Sequence, residues 1–426
     1  MATMHISPTG SGDRSGSSWQ NAATLSSLDA MVQKAGSGGT VLLRADAGAY
    51  DISTRSINIS HGGTEGRPVT IRGVDSAGRD MDAQFVGNRA LDATAATQTG
   101  GQAFVLDRGA HDLTFLNLNI QNVSNAFRAS GDVANIEIGH VSASNVQRFF
   151  EDRQANDARG VTATVSGLYI HDVDVTGYSK GFIRLQFDSH DVLIRNVVAD
   201  SAGQNFDNFA MGAHIDGTAH DITFENVTIK NNQNFLGTYW NGDGFATEGG
   251  TYRITFIDTV SSGNTDAGYD LKSNQTTLIR AVADDNSRNF RIWGDDNVMI
   301  DSTGVDPHNR AGSYASQIWM ASGAELTVTG SQFVDSGSMT RVFNFDGAAS
   351  LRIADTTITH GGTLTYGSTK GLKGLSTDVV TKIAPTGSFS TNSVVVHESA
   401  QSAAPPDTTP PASPVFTLAS GFEGGI

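Results

Sequence analysis

The stretch ITFENVTI, residues 222–229, decides the fold. Apolar side chains alternate with polar ones inside it, the period of two that marks a strand with one buried face. The same phrase returns along the chain as LTFLNLNI from Leu113, IEIGHVSA from Ile136, LYIHDVDV from Leu168 and VLIRNVVA from Val192. It continues as ITFIDTVS from Ile254, TLIRAVAD from Thr277 and VMIDSTGV from Val298, with looser copies at Leu326 and Leu351. Successive copies lie about 21 to 32 residues apart, the spacing of a solenoid. No long amphipathic helical stretch separates them, so helical repeats and leucine-rich repeats fit badly. The reading is all-β: a right-handed parallel β-helix, in which each coil lays a strand on the coil before it.

Asn117, Asp172, Asn196, Asn226 and Asp258 take equivalent places in successive phrases. Polar side chains repeated on one turn are expected to stack as a hydrogen-bonded ladder inside the solenoid. At the N-terminal end, residues 25–35 space their apolar side chains by three and four, and Gly36 follows. That pattern predicts an amphipathic helix that caps the first coil and covers its open strand edge. Residues 1–45 therefore read as the N-terminal segment with its capping helix, and 46–400 as the β-helix. Five of the nine prolines fall in AAPPDTTPPASP, residues 403–414, so 401–426 reads as an extended linker stub.

Composition narrows the function. There are 48 Gly and no Cys in 426 residues, which excludes a disulfide scaffold, a thiolate metal site and a cysteine nucleophile. A formal charge of −16 argues against nucleic acid as a partner. No apolar run reaches the roughly 18 residues that span a membrane. The opening MATMHIS lacks the charged-then-apolar pattern of a signal peptide, so the expectation is either that a leader has been trimmed or that export to the extracellular space uses a signal elsewhere.

After each phrase comes a second strand: IRLQF from Ile183, HID from His214, FATE from Phe245, YDLK from Tyr269, FRIW from Phe290 and IWMA from Ile318. If Ile215, Leu271, Ile292 and Met320 point inward, alternation turns two columns outward. One reads Arg184, His214, Ala246, Asp270, Arg291, Trp319; the other reads Gln186, Asp216, Glu248, Lys272, Trp293, Ala321. At about 4.8 Å per rung the columns span roughly 25 Å. Cations, carboxylates, a histidine and indoles on one face suit a saccharide, since aromatic faces stack on sugar rings and cations meet sugar carboxylates. A solvated sheet face carrying charge ladders is the alternative.

Three segments then follow one another on consecutive coils: NGDGFA from Asn241, NTDAGYDL from Asn264 and NFRIWG from Asn289. The succession resembles polysaccharide lyase family 9, the pectate-lyase-like β-helix enzymes, whose segments read approximately NGDGFA, DDGYDL and GFKLGG. HISPTGSG from His5 and GTEGRPVTIRG from Gly63 are similar to that family's opening. The resemblance covers roughly residues 5 to 360. It implies a Ca²⁺ ion held by Asp243, Asp266 and Asp270, with a fourth ligand position falling on Ala267. It places the catalytic base at Arg291, where the family has lysine. Free arginine is a poor base, so Lys272, one coil earlier and easier to depress by burial, is the competitor.

The expectation is therefore a secreted, monomeric polysaccharide lyase acting on an acidic, uronate-containing polymer by β-elimination. Arg184, His214, Asp216, Tyr239, Trp240, Glu248, Trp293 and Trp319 are the candidate substrate-binding groups. Arg291 is expected to stand exposed on its strand. A uronan C5-epimerase shares the first proton abstraction, and Asp306-Pro307-His308-Asn309 is similar to a short motif of alginate epimerases. A non-catalytic adhesion solenoid is the rival from another class. A glycoside hydrolase is a lesser one, using Asp216 with Glu248 or Asp270.

Overall fold

The computed structural model describes residues 1–91, 100–153, 162–204, 209–235, 240–308, 310, 315–335, 341–347, 349–360 and 380–381. The proline-rich segment at 403–414 and the rest of the predicted linker lie outside the described residues. The chain is a right-handed parallel β-helix, as the repeated phrases predict, and its described residues group into two compact units. One comprises residues 1–175 with 186–197; the other comprises 176–185 and the described residues from Val198 to Thr381.

In the first unit three inward columns define three sheets. Val41, Ile71, Phe115 and Ile138 stack in register on one, and Tyr50, Phe85, Ile120 and Ala143 on the next. Ile57, Phe104, Phe127 and Phe150 form the third. The pairings of these columns are all parallel, so each apolar side chain meets its equivalent one coil away. The helix Leu28–Ala35 buries Leu28, Met31, Val32 and Ala35 and packs on the strands Thr3–Ile6 and Thr40–Arg44. Residues 25–27 form a 3₁₀ turn ahead of it. Gly36 ends it at φ 64°, and its N–H bonds to the Val32 carbonyl at 3.1 Å.

The second unit repeats the plan. Phe224, Phe256, Leu278, Met299, Val328 and Ile353 stack on one sheet. Ala213, Phe245, Tyr269, Phe290, Ile318 and Phe343 stack on the sheet that carries the candidate site. Phe245, Tyr269 and Phe290 are nearly parallel rings with centroids 5.0 and 5.2 Å apart.

The polar ladder lies elsewhere than expected. Asn117, Asp172, Asn196, Asn226 and Asp258 all have φ between 51 and 56°, the left-handed conformation that asparagine and aspartate tolerate at a sharp corner. Their side chains point outward, where Asn196 donates to Asp172 at 3.1 Å and Arg280 holds Asp258 through two bonds of 2.6 and 2.7 Å. The interior ladder is formed at another corner by Asn232, Asn264 and Asn286, all fully buried. Asn232 Nδ2 donates to Asn264 Oδ1 at 2.8 Å, and Asn264 Nδ2 donates to Asn286 Oδ1 at 2.7 Å. This ladder fixes the turn from which the site strands start.

Candidate active site

The strands Ala210–Ile215, Gly242–Thr247, Ala267–Leu271, Arg288–Ile292 and Ser316–Met320 pair in parallel. Their register brings Arg184, His214, Ala246, Asp270, Arg291 and Trp319 into one column, rung by rung, as expected. Backbone bonds carry the ladder one residue further. Glu248 N–H reaches the Ile215 carbonyl at 2.8 Å, Lys272 that of Thr247 at 3.1 Å and Trp293 that of Leu271 at 2.8 Å. Glu248, Lys272 and Trp293 therefore align in the neighbouring column.

At the heart of this face is a charge cluster. Asp243, Asp266 and Asp270 are buried at 0, 2 and 3 % exposure. Arg288 Nη1 pairs with Asp266 Oδ1, and Arg291 Nη1 stands 3.3 Å from Asp266 Oδ2 and 3.7 Å from Asp270 Oδ2. Asp270 accepts a 2.6 Å bond from the Trp293 indole N–H and lies 3.5 Å from Lys272 Nζ. Lys272 Nζ also donates to both oxygens of Glu248 at 2.8 Å. At the other end of the strip, His214 Nε2 is 3.8 Å from Glu248 Oε1, and Arg184 Nη2 bonds to Asp216 Oδ2 at 3.3 Å.

Arg291 is not an exposed strand residue. Its side chain is 14 % exposed and its guanidinium lies against a pair of touching indoles, 4.7 Å from Trp293 and 4.8 Å from Trp319. The two rings tilt by 53° with centroids 4.7 Å apart. A guanidinium seated against two carboxylates and two π faces is a charge carrier rather than a proton acceptor. Lys272 departs from expectation too. Burial works to lower its pKa, but Asp270 and the Glu248 hydrogen bonds outweigh burial and hold it above the ordinary lysine value. It stays a cation.

Replacing Trp293 by Phe keeps the ring and removes the indole bond to Asp270. Hydrogen bonds to charged groups contribute about 1.5–3 kcal/mol. Trp293→Phe should lower unfolding stability by that amount in a urea titration, with the m-value unchanged.

Burial pushes the Asp243 carboxyl well above the ordinary aspartate range, and the negative charges of Asp266 and Asp270 add to it. A raised folded-state pKa gives stability that is fully present below the unfolded value near about 4 and is lost as pH rises through the folded value. Asp243→Asn removes that dependence. Its thermal midpoint should fall less than that of the parent chain as pH is raised from acid to mildly alkaline.

The chain matches no protein-family model and no curated protein. Among solved structures it is similar to pectate lyase Pel9A. Identity is 14 %, the TM-score is 0.52, and the match covers 71 % of this chain and 77 % of the other. It is also similar to a lacto-N-biosidase of family GH136 from Eubacterium ramulus. There identity is 12 %, the TM-score is 0.51, and the match covers 92 % of this chain and 67 % of the other. These likenesses establish the fold.

The donor set fits Ca²⁺ poorly. Hard Ca²⁺ takes six to eight oxygens, whereas Asp266 already faces two guanidinium groups and Ala267 offers no side-chain oxygen. Among the described residues, the group of three whose ligand atoms all lie within 4.8 Å of one another is His140, His171 and Asp172, in the first unit, and not the three aspartates.

Trp240 packs edge-on against the part-exposed Phe235 at 4.8 Å, just ahead of the strand Gly242–Thr247. Tyr239 lies outside the described residues. His308 of the Asp306-Pro307-His308 motif pairs with Asp285 at 2.7 Å, and Asn309 lies outside the described residues. Arg288 was not foreseen. Its signal was available, because it pairs in register with Ala267 one coil earlier.

Proposed function

We propose that this chain is a polysaccharide lyase that cleaves a uronate-containing polymer by β-elimination, with His214 as the base in place of Arg291 or Lys272. The observation that carries the reading is the placement of His214 between two cations on one sheet face. Arg184 is one rung away in the same column, and Lys272 is joined to it through Glu248. C5 of a uronate bears both the carboxylate and the proton to be removed. A carboxylate held by Lys272 or Arg184 therefore sets the C5 proton within reach of a base one rung away. Imidazole is the side chain on this face whose ordinary pKa suits proton transfer near neutral pH.

In this reading the His214 imidazole takes the C5 proton. The C5–H electron pair forms the C4=C5 double bond, the C4–O4 bond breaks, and O4 leaves with a proton from the newly formed imidazolium. Lys272 and Arg184 offset the charge that builds on the carboxylate, and Glu248 offsets that on the imidazolium. Trp293, over the Arg291 guanidinium, offers a ring on which a neighbouring sugar stacks. No step runs through a divalent cation. An epimerase needs a second proton donor on the opposite side of the ring, and the described ionisable groups of the site come from one sheet face. That favours elimination.

Hydrolysis is the second reading, supported by Asp216 and Glu248, two part-exposed carboxylates on adjoining rungs. One assay separates the two. With pectate, alginate and glucuronan as substrates, elimination releases unsaturated uronates that absorb in the ultraviolet. Reducing ends that appear without that absorbance would establish hydrolysis and end the lyase reading. No product from any uronan, with retained glycan binding, would point to an adhesion module.

A further inference from the structure

We propose that the guanidinium of Arg288, with that of Arg291 beside it, is the resident cation of the Asp243–Asp266–Asp270 cluster, so that side-chain charge takes the place the sequence resemblance gives to Ca²⁺. The inference concerns how the cluster is neutralised and stands whether or not the chain proves to be a lyase.

The oxygen inventory carries it. Asp266 Oδ1 is engaged by Arg288, and its Oδ2 by Arg291 at 3.3 Å. Asp270 Oδ1 accepts from the Trp293 indole at 2.6 Å, and its Oδ2 faces Lys272 at 3.5 Å and Arg291 at 3.7 Å. Asp243 Oδ1 accepts the Ala267 N–H at 2.8 Å. Within the cluster that leaves Asp243 Oδ2, which has no hydrogen-bond partner among the described residues, and Asp270 Oδ2, which has long ion-pair contacts. Two oxygens are no cage for an ion that takes six to eight.

The sequence change that makes this arrangement is local. Ala267 and Arg288 pair in register on successive coils, and the Ala267 N–H bonds to Asp243 on the coil before. Ala267 carries a single methyl where the resemblance expects a carboxylate, and it is fully buried. A cation one rung later, on a side chain long enough to reach back to Asp266, supplies the missing positive charge. Both Asp266 and Arg288 are buried, and a buried charge left without a partner is costly, so the pair is bound to act as a unit.

The test is a thermal unfolding series on the full chain, in chelator and in millimolar Ca²⁺, with calorimetric titration of Ca²⁺ alone. The parent chain should show the same midpoint in both buffers. Arg288→Ala should unfold at a lower temperature in chelator, regain part of that loss in Ca²⁺, and acquire saturable Ca²⁺ binding in about the 10⁻⁴–10⁻³ M range of modest protein sites. Arg288→Lys, which keeps the charge, should stay indifferent to Ca²⁺. A parent chain that Ca²⁺ stabilises, with the gain abolished by Asp243→Asn, would overturn the proposal. So would an Arg288→Ala chain with the parent's midpoint and the parent's indifference to Ca²⁺. Neither readout depends on turnover, so failure here and failure of the lyase reading are separately visible.

Discussion

His214→Ala should lower kcat on the best uronate substrate by about 10²–10⁴-fold, the usual contribution of a positioned general base. The chain should remain folded, because the His214 side chain is part-exposed on the outer face of its strand and does not belong to the apolar interior stack. A pH profile distinguishes this role from a structural one. In the parent chain the rate should rise through the histidine range as the imidazole loses its proton, and that limb should be missing from residual His214→Ala activity. Arg291→Ala is a poorer probe. It strips a cation from two buried aspartates and uncovers the faces of Trp293 and Trp319, so lost activity would be mixed with lost stability. An unchanged rate in His214→Ala would move the base elsewhere.

The second large effect is on folding. Asn264→Ala removes the middle rung of the buried ladder. Asn264 Oδ1 accepts from both the backbone and the side-chain nitrogen of Asn232, at 3.0 and 2.8 Å. Its Nδ2 donates to Asn286 at 2.7 Å and to Ser261 at 3.0 Å. Each buried group left without a partner costs about 1–3 kcal/mol, and alanine deprives several at once. The loss should exceed about 3 kcal/mol in denaturant unfolding, a large share of the 5–15 kcal/mol typical of a folded domain. Asn226→Ala makes the comparison: its side chain is exposed at a left-handed corner, so a smaller loss is expected, with backbone strain of about 1–2 kcal/mol in it. Equal losses in the two variants would mean that the interior ladder does not hold the coils.

The contrast between these asparagines explains what was legible in the sequence. Strand alternation reports which face a residue takes, so the inward stack from Ala213 to Phe343 and the outward column from Arg184 to Trp319 follow from the phrases alone. A corner does not alternate. Asn226 recurs at a fixed place in the phrase, yet recurrence looks the same for a residue chosen for its left-handed backbone and for one chosen for its amide. The stacking residues, Asn232, Asn264 and Asn286, sit two or three positions beyond the phrase, past the end of its strand alternation.

The same limit applies to the site. Column membership placed Arg291, Lys272 and Glu248 together, but the strand pattern does not say which charge neutralises which. Lys272 looked like a lysine that burial would depress. Asp270 and Glu248 reverse that, and their approach depends on side-chain reach across rungs. Arg288 escaped notice because it lies at the strand's beginning, three residues before the position that the family resemblance emphasised.

The most direct measurement is a crystal structure of the His214→Ala chain soaked with a uronate oligosaccharide. The account predicts a sugar lying along the strip from Arg184 to Trp319, its carboxylate against Lys272 or Arg184 and C5 facing the space left by the imidazole. An oligosaccharide bound on another face, or one whose carboxylates point away from these cations, would contradict it.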